Sequence, residues 1–182
     1  MPFQVEVANT VNANAGGYGK SVQGAIGDQG NIIAAAGDYA ANDILSNSTT
    51  AALAMPWVFN GVARRKGGSG YITRMIGTCT ATSAVARLRL WLFSQTPMAS
   101  IRTDNAAFAL ALVDKVRLVG FIDLPALSSA TNFVYAQNID VKLQFNCAAA
   151  EDTLYGILQT LDAETNEAAS MAVTLELGIL QD

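Results

Sequence analysis

The chain contains no histidine. That removes the commonest general base near neutral pH, the Ser-His-Asp and Cys-His nucleophile pairs, and every zinc site that needs an imidazole. Cysteine is nearly absent as well. Cys79 and Cys147 are the only two, far apart and in no CxxC or Cys/His ligand pattern. In a reducing compartment they are expected to be small buried hydrophobes, with a Cys79–Cys147 bridge formed outside the cell as the alternative. Charge is scarce: charged residues are 14% of the 182, against about 25% in an ordinary soluble domain. Eleven Lys and Arg against fifteen Asp and Glu leave a net charge of −4, the wrong sign for a chain that must neutralise phosphates. The tightest basic cluster, Arg64-Arg65-Lys66 ahead of Gly67-Gly68-Ser69-Gly70, has no aromatic stacking platform beside it and reads as a solvated turn. No continuous apolar run reaches the ~18 residues of a membrane span. Met1 to Glu6 lack the basic and apolar regions of a signal peptide, so manufacture in a cytoplasm is expected.

What is plentiful is apolar: 51% of the residues are hydrophobic. A surface so poor in charge suggests that part of it is covered in the working state, because large apolar patches mark contacts with other proteins. The acidic groups do not assemble into an obvious catalytic pair. Glu151-Asp152 and the set Asp162, Glu164 and Glu167 fall in expected loops, whereas a glycosidase needs two carboxylates held ~5–9.5 Å apart across a cleft. The second set also lacks the glycine of an EF-hand loop. Gly16-Gly17-Tyr18-Gly19-Lys20-Ser21 ends like a phosphate-binding loop, but the GxxxxGK[ST] spacing needs a glycine where Asn14 stands. The expectation is a non-enzymatic protein with no catalytic, cofactor-binding or metal-ligating residue.

Patterning separates two regions. Residues 1–37 are rich in Ala, Asn and Gly, have turn formers at Asn12 to Gly19, and read as an extended N-terminal arm, with room for a short edge strand between Tyr18 and Ile26. Residues 38–182 read as strands divided by turns. Tyr71 to Cys79 is rich in β-branched residues and follows a glycine turn. Val85 to Phe93 alternates, with Leu88, Leu90 and Leu92 on one side and Arg87, Arg89 and Trp91 on the other. Lys115 to Asp123 alternates until Pro125. Asp140 to Cys147 sends Val141, Leu143 and Phe145 inward, Leu154 to Leu161 follows, and Met171 to Leu180 places Met171, Val173, Leu175, Leu177 and Ile179 on one face. Short alternating strands without a long amphipathic helix predict an all-β protein, an antiparallel β-sandwich of jelly-roll-like form.

The second faces of these strands are not uniformly polar. Trp91 and Phe93 share a face with Arg87 and Arg89, and Val119 and Phe121 share one with Lys115 and Arg117. A solvated face is normally polar throughout, so these faces are expected to lie under partners or under the chain's own loops and arm. Arg and aromatic residues are enriched at interface centres. The residues picked as contacts are Phe3, Val5 and Tyr18 on the arm and Trp57, Arg89 and Trp91 on the sandwich, with the two tryptophans having core packing as their alternative.

Four stretches carry a resemblance: residues 38–48 (DYAANDILSNS), 67–72 (GGSGYI), 86–93 (ARLRLWLF) with Pro97 after it, and 152–158 (DTLYGIL) with Leu161-Asp162. Together they resemble a family of tailed-bacteriophage structural proteins regarded as virion or head components, across about two thirds of the chain. The resemblance implies a structural virion protein on the capsid surface, assembled in the host bacterial cytoplasm. A head decoration or cement protein is the role chosen within it. Its implied partners are the major capsid protein or other virion proteins, with self-association as a trimer or dimer, and neither nucleic acid nor membrane. A carbohydrate-binding, host-receptor sandwich is the alternative.

Overall fold

The structure, a computed structural model, describes residues 18–27, 33, 37–167 and 171–182, with the backbone alone at 18 and 165–167. Two antiparallel sheets face each other, as the alternation requires. The first contains β1 (Tyr18–Gln23), β5 (Ser69–Cys79), β8 (Ser128–Ala130), β9 (Phe133–Asn138), β10 (Leu143–Asn146) and β13 (Val173–Gln181), ordered β1-β13-β5-β9-β8 with β10 also on β5. The second contains β3 (Ile44–Leu45), β4 (Trp57–Phe59), β6 (Leu88–Phe93), β7 (Leu118–Leu124) and β11 (Leu154–Thr160), ordered β3-β11-β6-β7 with β4 also on β11. A two-stranded ribbon joins β2 (Gly37–Tyr39) to β12 (Glu164–Glu167).

The core sits between the sheets and follows the period of two along each strand. Leu88, Leu90 and Leu92 of β6 meet Val173, Leu175, Leu177 and Ile179 of β13 and Ile72 and Met75 of β5 in one buried cluster. Val141 and Phe145 are buried there too, while Leu143 packs against the cluster half-buried. Two contacts hold the sheets together at their sides. Ala25, just past β1, bridges to Val58 of β4. On the other side Asn138 Nδ2 donates to the Asp123 carbonyl at 2.9 Å.

Two expectations change, and the cysteines are as expected. Residues 18–26 belong to the sandwich rather than to an arm: β1 pairs along its length with β13, and Val22 and Ile26 are buried in the core. The sandwich therefore takes in chain ahead of residue 38, because Val22, Gly24 and Ile26 alternate inward as any strand of the sheet does. Residues 1–17 lie outside the described structure. The strand expected from Lys115 begins only at Leu118, since Leu112–Arg117 form a 3₁₀ turn. The thiols of Cys79 and Cys147 are both buried and are not joined to each other.

Candidate protein-interaction surface

The two sheets present different outer faces. On the first, Arg74 lies across Gly178, where a Cβ would collide with its side chain. Its Nη2 donates to Glu176 at 2.6 Å and to Ser21 Oγ at 2.8 Å. Gln23, Thr78, Gln137 and Thr174 share this face with Ile76 and with the exposed Phe133–Tyr135 pair on β9.

On the second, Ile44, Phe93 and Ile157 are buried away from the main core in a cluster of their own. The long connection from β6 to β7, residues 94–117, covers them. Phe108 and Leu110 pack onto the cluster, with Trp91, Leu118 and Tyr155 around them. Backbone bonds pin the cover down: Phe108 N–H donates to Asn42 and Ile44 N–H to Ala106, at 2.9 and 3.0 Å. Trp91 stacks on Phe108 with ring centroids 4.9 Å apart and donates its indole N–H to Gln159 Oε1 at 2.8 Å.

The cover is anchored by one buried acid. Asp114 is fully buried and accepts from Met98 N–H, Ala99 N–H, Ser100 N–H and Ser100 Oγ at 2.7–2.9 Å. Burial pushes its pKa up, but the donors from Met98, Ala99 and Ser100 outweigh this and hold it down at about 2. Arg117 Nη1 stands 3.5 Å away. The 3₁₀ turn built on this anchor projects apolar side chains into solvent: Leu112 is 78% exposed, Val116 89% and nearby Met98 71%. Val113 is exposed beside them. An uncompensated buried carboxylate is costly. Here four donors offset that cost, and the result is a fixed apolar projection.

Beside the cover lies an aromatic ledge. Arg89 and Asp123 form a two-pronged ion pair at 2.6 and 2.8 Å across β6 and β7. The guanidinium sits 4.1 Å from the Phe121 ring centroid and 5.6 Å from that of Trp91. Such stacking is worth about 0.5–1 kcal/mol at an exposed site. Phe121 itself remains 47% exposed.

Of the residues picked from sequence, Arg89 and Trp91 come together on this ledge. Trp57 does not join them. It is a core residue, because β4 alternates Trp57 and Phe59 inward and Val58 outward against β11. Its ring packs beside Gly24 and its Cβ beside Gly156, and it is buried. Phe3 and Val5 lie outside the described residues, and at Tyr18 only the backbone is described, paired with Gln181. The sequence reading missed the turn with Leu112, Val113 and Val116. The signal was present: Leu112 and Val113 are adjacent, just ahead of the alternation expected from Lys115, and two neighbouring apolar residues cannot both face one core from a strand.

The acidic candidates are engaged elsewhere. Asp162 accepts from Arg87 through Nε, Nη2 and the backbone N–H at 2.6–3.0 Å, and these bonds lower its pKa to about 2. Glu164, buried, accepts from Val85 N–H at 2.8 Å. Lys20 and Ser21 sit in β1 rather than at the start of a helix, so the fragment resembling a phosphate loop lacks the context such a loop needs.

No protein-family model matches the chain, and no curated protein does. Among solved structures, the empty capsid of Triatoma virus aligns with 100% of this chain and 78% of that one, at 9% identity and a TM-score of 0.24. A marine algae virus of the order Picornavirales aligns with 88% of this chain and 66% of that one, at 7% identity and a TM-score of 0.19. Superpositions this loose lend the chain neither a fold nor a role.

Proposed function

We propose that this chain is a non-enzymatic structural protein of a tailed-bacteriophage virion, a capsid decoration or cement protein that binds the head lattice through protein–protein contacts. The observation that carries the contact reading is the apolar turn of Leu112, Val113 and Val116. A fully buried carboxylate with four donors holds three large apolar side chains out in water, an arrangement that helps folding little and suits an anchor seated in a partner's pocket. The virion reading rests on the sequence resemblance at residues 38–162. Many copies on one lattice turn a modest contact into strong retention, and binding present only in the assembled state stabilises the shell by mass action. The partners are then the major capsid protein and further copies of this chain, and the site of action is the capsid surface. The glycan-binding alternative calls for flat, open aromatic platforms. Trp57 is buried and Trp91 lies against Phe108, so the platforms open to it are Phe121 and the Phe133–Tyr135 pair.

The test is co-sedimentation of the purified protein with tailed-phage shells that lack it. Saturable binding with a fixed copy number per shell is expected. A protein that stays in the supernatant at every concentration, while binding host glycans, would replace this reading with the alternative.

A further inference from the structure

The register of the first sheet sets aromatic rings and hydrogen-bonding side chains in rows on its outer face. Residues directly opposite in an antiparallel pair point to the same side. Tyr135 of β9 stands opposite Ser128 of β8 and Thr78 of β5, and Thr78 stands opposite Thr174 of β13. Two residues along, Gln137, Ile76, Glu176 and Gln23 form a second row across β9, β5, β13 and β1. Their chain neighbours Ala136, Leu175 and Val22 are buried in the core, which turns both rows outward. Each row crosses four strands at ~4.8 Å per spacing. Phe133 adds a second ring beside the first row. Its centroid lies 6.4 Å from that of Tyr135, and both residues are 43% exposed.

The chemistry of this face selects its ligand. Its two charges, Arg74 and Glu176, are paired with each other at 2.6 Å, which suits an uncharged ligand better than the polyanion that free Lys and Arg would attract. The side chains of Gln23, Thr78, Gln137 and Thr174 make no hydrogen bond among the described residues, and hydroxyls and amides both donate and accept. A docked protein would meet Phe133, Tyr135 and Ile76 interleaved with Thr78 and Gln137, not the apolar centre of an interface. A sugar ring matches the mixture: its C–H face lies on an aromatic ring, and the hydroxyls at its rim both donate and accept. Beyond the rows, Gly19 and Gly178 carry no side chain, and a groove of about 490 Å³ runs between Ser21, Thr73 and Arg74. We infer that this face binds a neutral saccharide chain, with Phe133 and Tyr135 as stacking platforms and Thr78, Gln137 and Gln23 bonding its hydroxyls.

This goes beyond shell binding. The turn of residues 112–117 belongs to the cover of the second sheet, on the opposite side of the sandwich, so neither contact needs the other. The test is calorimetric titration of the full-length protein with neutral hexasaccharides of glucose, mannose and galactose, beside the anionic hexasaccharide of galacturonic acid. Saturable binding of at least one neutral chain is expected, with the anionic chain weaker. Phe133→Ala and Tyr135→Ala should each weaken it about tenfold. Gln137→Ala, which leaves both rings in place, should weaken it a few-fold. No saturable binding of any neutral chain, tighter binding of the anionic one, or binding that Tyr135→Ala and Gln137→Ala both leave unchanged would each overturn the inference. Shell co-sedimentation lost in Tyr135→Ala, with no saccharide bound, would make this face a protein contact instead. Failure of the unaltered protein to bind shells bears only on the shell reading, because the titration contains no shell.

Discussion

The outer faces of the two sheets start from the same period-two alternation and end in different states. On the first sheet Ser21, Arg74 and Glu176 point outward and are bonded to one another, beside the outward Ile76, Phe133 and Tyr135. On the second, Ile44, Trp91, Phe93 and Ile157 lie under a 24-residue connection tied by a buried acid, with Phe121 half exposed beside it. The first face sets this polar cluster beside an exposed Phe133–Tyr135 pair. The second has been folded over, and what it buries on the inside it gives back on the outside as Leu112, Val113, Val116 and half of Phe121.

Substitutions should fall unequally on the two faces. Asp114→Ala strips three backbone N–H groups and a hydroxyl of their acceptor, and should cost about 3 kcal/mol in urea unfolding. Trp91→Ala empties the space between Phe108 and Phe121 and should cost about 2–3 kcal/mol. A loss below ~0.5 kcal/mol in either case would mean that the cover contributes nothing. Acid should act on the same anchor. The folded pKa of Asp114 lies at about 2, below its ordinary value near 3.8. Its contribution, on the order of 2 kcal/mol, is therefore present above pH ~4 and is lost as pH falls through about 2. Asp162 shifts in the same direction, but its pair with Arg87 is exposed and screened by salt. The acid-induced loss of stability should thus shrink in Asp114→Asn far more than it does in 1 M salt. Arg74→Ala should change stability by no more than ~1 kcal/mol, since it breaks a largely solvated pair with Glu176 and an exposed bond to Ser21.

Much of the fold was legible in sequence. Alternation placed Leu88, Leu90 and Leu92 and the run from Met171 to Ile179 correctly, because each strand has one face on a single core. The ends of strands were less legible. Val85 and Arg87 continue the alternation of β6 but lie outside it, held by Glu164 and Asp162, and no local pattern announces a long-range carboxylate. β8, with Ser128, Ser129 and Ala130, carries too few apolar residues to signal itself, whereas Phe133-Val134-Tyr135-Ala136 of β9 is a run of strand formers that was not read. The ledge was half visible: Arg89 and Trp91 could be placed on one face, while Phe108, Asp114 and the apolar turn required knowing that residues 94–117 fold back onto that face. Trp57 was misplaced for a related reason, since a three-residue strand gives no period by which to tell inside from outside.

The contact claim is tested most directly by the triple variant Leu112→Ser, Val113→Ser and Val116→Ser. These side chains are exposed, so stability should change by less than about 0.5 kcal/mol. The measurement is its co-sedimentation with undecorated phage shells beside the unaltered protein. A variant that folds with the same urea midpoint and no longer binds is the predicted result. One that binds as tightly as the unaltered protein would contradict the assignment of this turn as the working contact.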